Sequence, residues 1–195
     1  MRRTIVSVAM LSLFSIAFAS STKADVISQW CSDKWGSNYE MVAYCEKNQR
    51  NAYNQIAAYS GIIRDNCENK WENNFEMVIY CIKNQSAARN AVESTSSDEV
   101  AAACRAKWGT NFEMIEYCIK NQRASRGAVQ EMPTDEISRF CKNKWGQNYE
   151  MVEYCINNQR TAKENIDRNY SGSKKDRCEA KWGVNYEMVE YCIEN

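Results

Sequence analysis

The residues with the most evident chemistry carry sulfur and recur in a fixed order. Cys141, Met151 and Cys155 lie in one stretch, Cys141-Lys-Asn-Lys-Trp-Gly-Gln-Asn-Tyr-Glu-Met-Val-Glu-Tyr-Cys155. The same trio stands at Cys31/Met41/Cys45, Cys67/Met77/Cys81, Cys104/Met114/Cys118 and Cys178/Met188/Cys192. Two thiolates and a thioether form a soft donor set that suits Cu(I). Zinc fits less well, since two cysteines and a methionine do not make its preferred four-ligand set, and the chain has no histidine. The simpler reading joins each pair of cysteines as a disulfide, with methionine filling irregular space beside it. No Cys-x-x-Cys motif is present, which disfavours a redox centre.

Other chemistry is weaker. Glu40, Glu76, Glu113, Glu150 and Glu187 recur in every copy, but no second acid, base or nucleophile accompanies them. Without histidine there is no histidine triad or histidine base. The glutamates are explained by placement at a helix start, with Lys34, Lys70, Lys107, Lys144 and Lys181 facing them across a corner. No catalytic residue and no cofactor are assigned, and a secreted enzyme is the disfavoured alternative.

The aromatic residues are Trp35, Trp71, Trp108, Trp145 and Trp182, each followed by Tyr or Phe at the next helix start, and Tyr44, Tyr80, Tyr117, Tyr154 and Tyr191 before the second cysteines. Regular helical spacing of this kind favours core over a glycan, peptide or small-ligand surface. Trp30 stands outside the common pattern and reads as an edge residue of the first unit. Gln49, Gln85, Gln122 and Gln159 interrupt an apolar stripe, so they must find partners at an interhelical joint. Arg50, Arg123 and Arg160 end an Asn-Gln-Arg run and mark a candidate partner-facing edge.

These residues require an all-α scaffold. Ile27, Cys31 and Trp35 fall at i, i+4 and i+8, one face of a short helix running roughly from 25 to 34. The stripe returns as Ile63-Cys67-Trp71, Val100-Cys104-Trp108 and Ile137-Cys141-Trp145, and weakens to Lys174-Cys178-Trp182. Gly36, Gly109, Gly146 and Gly183 then suggest a left-handed helix end, with Glu72 in the second copy. Asn38, Asn74, Asn111, Asn148 and Asn185 are placed to cap a long second helix, roughly 39 to 58 in the first copy. Its 3–4 rhythm runs through Tyr149, Val152, Ile156, Gln159 and Ile166. Ser96 with Glu99, and Thr134, are expected to cap the third and fourth short helices.

Each unit is thus an αα-hairpin, and five follow in tandem as a compact array or short solenoid: 20–60, 61–97, 98–133, 134–171 and a truncated 172–195. The period of 36 or 37 residues resembles that of tetratricopeptide and Sel1-like helical repeats. The likeness is architectural, since the Cys-x13-Cys pattern is separate. Stacking lets each hairpin bury a face that it cannot bury alone.

Residues 1–19 read as a secretory signal peptide: Arg2 and Arg3, an apolar run, and Ala17-Phe18-Ala19 before a cleavage site. The mature chain has no further apolar stretch long enough to cross a bilayer. The full chain has 25 basic and 25 acidic residues, so losing Arg2 and Arg3 leaves 23 against 25. That balance argues against nucleic-acid binding. Export to the periplasm, cell surface or medium makes disulfides the expected state of ten cysteines. The fifth copy keeps both cysteines although it stops early, which favours pairing within repeats: Cys31–Cys45, Cys67–Cys81, Cys104–Cys118, Cys141–Cys155 and Cys178–Cys192. The expected function is an exported, non-enzymatic protein that presents a protein-interaction or self-association surface, or contributes to an envelope or extracellular assembly.

Overall fold

A computed structural model describes residues 22–195; the signal peptide expected over 1–19 lies outside them. The described residues form ten helices and no strand, alternating short and long. The short helices are α1 (Lys23–Trp35), α3 (Ile62–Trp71), α5 (Glu99–Trp108), α7 (Glu136–Trp145) and α9 (Ser173–Trp182). The long ones are α2 (Tyr39–Ile56), α4 (Phe75–Ser94), α6 (Phe112–Glu131) and α8 (Tyr149–Asn169), with the shorter α10 (Tyr186–Glu194) ending the row.

Helix α1 starts two residues earlier than its apolar stripe suggests. Thr22 and Asp25 form a capping box, in which the Thr22 N–H donates to the Asp25 carboxylate at 2.9 Å. The expected caps of α5 and α7 need correction. Asp98 and Asp135, not Ser96 and Thr134, cap these helices, accepting from the N–H groups of Ala101 and Ser138 at 2.8 Å. A carboxylate next to the first turn satisfies an orphan donor and also faces the positive end of the helix dipole.

The corner between helices differs from the expected left-handed helix end. Gly36 has φ 55° and ψ −122°, the first central position of a type II′ turn. The Asn38 N–H closes that turn on the Trp35 carbonyl at 3.1 Å, and the other four corners repeat the bond at 2.9 to 3.1 Å. Glu72 takes the same geometry, with φ 47° and ψ −107°. The corner therefore imposes the conformation even where glycine is absent. Asn38, Asn74, Asn111 and Asn148 then cap the long helices, accepting from the Met41, Met77, Met114 and Met151 N–H groups.

Each short helix packs on the long helix that follows, and the long helices pack side by side in chain order. Five disulfides link the hairpins internally, Cys31–Cys45 through Cys178–Cys192, with Cα separations of 5.7–5.8 Å. The core also crosses the joints. Val129 at the end of α6 is buried with Ile137, Val152 and Ile156 of the next hairpin. Ile166 of α8 is likewise buried with Val189 and Ile193. The array is a short solenoid whose units share their cores.

Candidate functional site

The joint between hairpins is built around one amide. The Gln49 carbonyl oxygen accepts from the Phe75 N–H at 2.7 Å, while its NH2 donates to Asn74 Oδ1 and to the Glu76 carboxylate at 3.3 and 2.9 Å. Gln85 and Gln122 repeat the clamp on Asn111, Phe112 and Glu113, and on Asn148, Tyr149 and Glu150. Gln159 reaches Asn185 and Glu187. The glutamine thus satisfies the free N-terminal groups of the next long helix, where the dipole also favours the carboxylate.

This placement accounts for four of the five repeated glutamates; Glu40, in the first hairpin, has no preceding glutamine. The lysines expected opposite them are elsewhere. No ion pair joins Lys34, Lys70, Lys107, Lys144 or Lys181 to these carboxylates among the described residues. Each lysine instead lies 5.1–5.5 Å from the ring centre of the tryptophan beside it. The arginines of the expected partner-facing edge also bond within their own hairpins. Arg123 pairs with the Asp98 cap and donates to the Ser96 carbonyl. Arg160 pairs with Asp135 and donates to the Pro133 carbonyl, and Arg50 reaches Ser28.

All ten cysteine sulfurs of the trios are engaged in disulfides, so this oxidised form presents no thiolate for a soft metal. Met41, Met77, Met114, Met151 and Met188 are half-buried beside them. Among the described residues no cluster of three His, Cys, Asp or Glu side chains is arranged to hold a metal ion.

The tyrosines preceding the second cysteines overturn the expectation of core. Tyr44, Tyr80, Tyr117, Tyr154 and Tyr191 are 60–61% exposed. On a helix, adjacent residues point about 100° apart, so a cysteine facing the short helix turns its neighbour away. The uniform exposure makes one surface row. The corner aromatics behave differently: Phe75 is buried, Tyr149 packs against the preceding core, and Tyr39, without a preceding hairpin, is 82% exposed. Tyr149 and Tyr186 donate to Glu99 and Glu136. Burial, then the carboxylate beside it, pushes the Tyr186 hydroxyl up to about 12.

Two clefts open between a disulfide and the next corner. One, of about 200 Å³, is lined by Asn66, Lys70, Cys67–Cys81, Gln85 and Asn111. The other, of about 210 Å³, has Ala103, Lys107, Cys104–Cys118, Gln122 and Asn148 at the matching positions. The same column holds Trp30 in the first hairpin and Phe140 in the fourth, each packed against its local core. In those two hairpins Gln49 and Gln159 are buried, whereas Gln85 and Gln122 of the second and third are half-buried. Trp30 and Phe140 thus stand at the position that Asn66 and Ala103 hold in the two open clefts. Aligning the column Trp30, Asn66, Ala103, Phe140, Arg177 reveals this alternation in the sequence itself.

Comparison with protein-family models, curated proteins and solved structures finds no match for this chain. The described residues contain no helix long and apolar enough to cross a membrane. Five disulfides fit an oxidising compartment.

Proposed function

We propose that this chain is an exported, non-enzymatic helical repeat protein that presents a surface to another protein or within an extracellular or envelope assembly. The observation that carries the reading is the tyrosine row. Five tyrosines have nearly identical exposure of 60–61%, although each could have been replaced by a polar residue at no cost to the core. Tyrosine is enriched at protein interfaces, where its ring supplies contact area and its hydroxyl remains hydrogen-bonded. The disulfides support export, and the joint explains the repeated carboxylates without catalysis.

The test compares the native chain with Tyr80→Ser/Tyr117→Ser/Tyr154→Ser in affinity capture from the native compartment. Loss of a specific partner, with unchanged helix content, is the expected result. Equal capture by both proteins rejects the row as the interaction surface. Sedimentation over a wide concentration range tests self-association separately, and a monomer throughout excludes the self-assembly version.

A further inference from the structure

We propose that the clefts of the second and third hairpins receive two aromatic side chains of an acidic, extended peptide segment in a partner protein. This rests on the reading of the chain as an interaction protein, but it concerns a surface separate from the tyrosine row.

The molecule itself indicates what fits. In the first and fourth hairpins the matching position supplies its own ring, Trp30 or Phe140. Lys34 and Lys144, one helical turn later, lie 4.9 and 6.0 Å from those ring centres. The glutamines of the same hairpins, Gln49 and Gln159, are buried. The second and third hairpins retain the lysine, the disulfide wall and the glutamine, but have Asn66 or Ala103 in place of the ring. An incoming aromatic side chain would restore the arrangement already present in the flanking hairpins.

Charge selects the rest of the segment. Lys70 and Lys107 line the clefts and have no ion pair among the described residues, whereas the adjoining carboxylates of Glu113 and Glu150 lie outside the lining and already accept from Gln85 and Gln122. Carboxylates flanking the rings would meet these ammonium groups. The third-hairpin cleft is the more open: Asn66 donates to Thr110 across the second at 2.8 Å, whereas the third has Ala103 and Gln147 there. Neighbouring packed helices lie about 9 Å apart. A polyproline II segment advances about 3.1 Å per residue with three residues per turn, so rings at i and i+3 match that spacing on one face.

The probe is the blocked peptide acetyl-Asp-Trp-Pro-Pro-Trp-Asp-amide, titrated calorimetrically into the disulfide-intact mature chain. Asn66→Trp and Ala103→Phe copy the natural plugs. The double variant is expected to keep its helix content and melting temperature and to weaken binding at least tenfold, with Ala103→Phe giving the larger single effect. Replacing both probe tryptophans by leucine should weaken binding by a similar factor, a comparison that needs no protein variant. Lys70→Glu/Lys107→Glu should weaken the acidic probe at least fivefold at low salt and leave an Asn-flanked probe nearly unchanged. No binding by the native chain, or binding within twofold by the folded plugged variant, overturns the proposal. A native partner retained by the plugged variant but lost from the tyrosine variant also overturns it, while leaving the interaction reading intact.

Discussion

Glu72→Gly should stabilise the protein. Glu72 has φ 47° and ψ −107°, where the other four corners have glycine at φ 55–57°. An added Cβ at Gly36, Gly109, Gly146 or Gly183 meets no atom within 4 Å, so the penalty for a side chain there is one of backbone conformation. The Glu72 carboxylate has no hydrogen bond or ion pair among the described residues, and removing it sacrifices no contact of that kind. A residue held in such a sparsely populated region costs about 1–3 kcal/mol. Glycine gives back about 0.4–1 kcal/mol through the greater entropy of its unfolded chain. The difference predicts a gain of roughly 1 kcal/mol, from those same two ranges. Urea denaturation under non-reducing conditions, followed by circular dichroism, measures the total. Amide exchange at the α3–α4 corner assigns it, because repeat arrays can open locally. Gly146→Ala is the converse control and should destabilise. If Glu72→Gly is neutral while Gly146→Ala costs nothing, the corner does not impose the positive φ and the reasoning is refuted.

Gln49→Leu should cost about 2 kcal/mol, because the buried Phe75 N–H loses its acceptor; Gln85→Leu should cost less, since water reaches its half-buried site. Urea denaturation and exchange at the Phe75 amide check that order. Reducing all five disulfides should abolish most helical circular dichroism at 25 °C. By the loop-entropy rule each closure is worth about 3 kcal/mol, so five together come to about 15 kcal/mol, the upper end of the ~5–15 kcal/mol stability of an ordinary domain. Acid should also weaken the fold. Hydrogen bonds from the Ala101 and Ser138 N–H groups, helped by Arg123 and Arg160, hold Asp98 and Asp135 below the ordinary carboxylate value of 3.8. Their contribution is full above that value and disappears as pH falls through the lower folded-state values. Melting curves across the acid range should therefore show a flatter acid limb for Asp98→Asn/Asp135→Asn.

Helical periodicity made the hairpins legible, because the 3–4 rhythm of Tyr149, Val152, Ile156, Gln159 and Ile166 shares a face on a helix and not on a strand. The glutamines were legible as a joint for a related reason: an amide on an apolar stripe needs partners. Their partners were not, because Asn74 and Glu76 belong to the next unit and their own positions were already explained by capping and the dipole. The tyrosines misled. Their spacing repeats as regularly as that of a core residue, but periodicity cannot distinguish the face toward the short helix from the face turned away. The arginines read as a partner-facing edge, and the sequence did not show that Arg123 and Arg160 also return to the caps of their own hairpins, since a helical wheel carries no record of the neighbouring helix. At the corner, glycine correctly indicated positive φ, but ψ distinguishes a helix end from a type II′ turn, and composition carries no record of ψ.

Two kinds of bond divide the scaffold between them. Disulfides secure each hairpin internally, and glutamine clamps secure each hairpin to the next. The residues serving these tasks must repeat, so their recurrence is fully explained by stability. Beside the repeated tyrosine row, which serves neither bond, a second source of information about binding is a place where the repeat is broken without weakening either bond. The column of Trp30, Asn66, Ala103, Phe140 and Arg177 is such a place: the disulfides persist throughout, the clamps persist at all four joints, and only the covering of the clamp changes. A cleft left open in the middle of an array whose flanking hairpins fill theirs is not required by the scaffold. Its half-buried glutamine even gives up shielding that a ring would supply. The alternation between plugged and open clefts is thus better explained by an external ring than by folding alone.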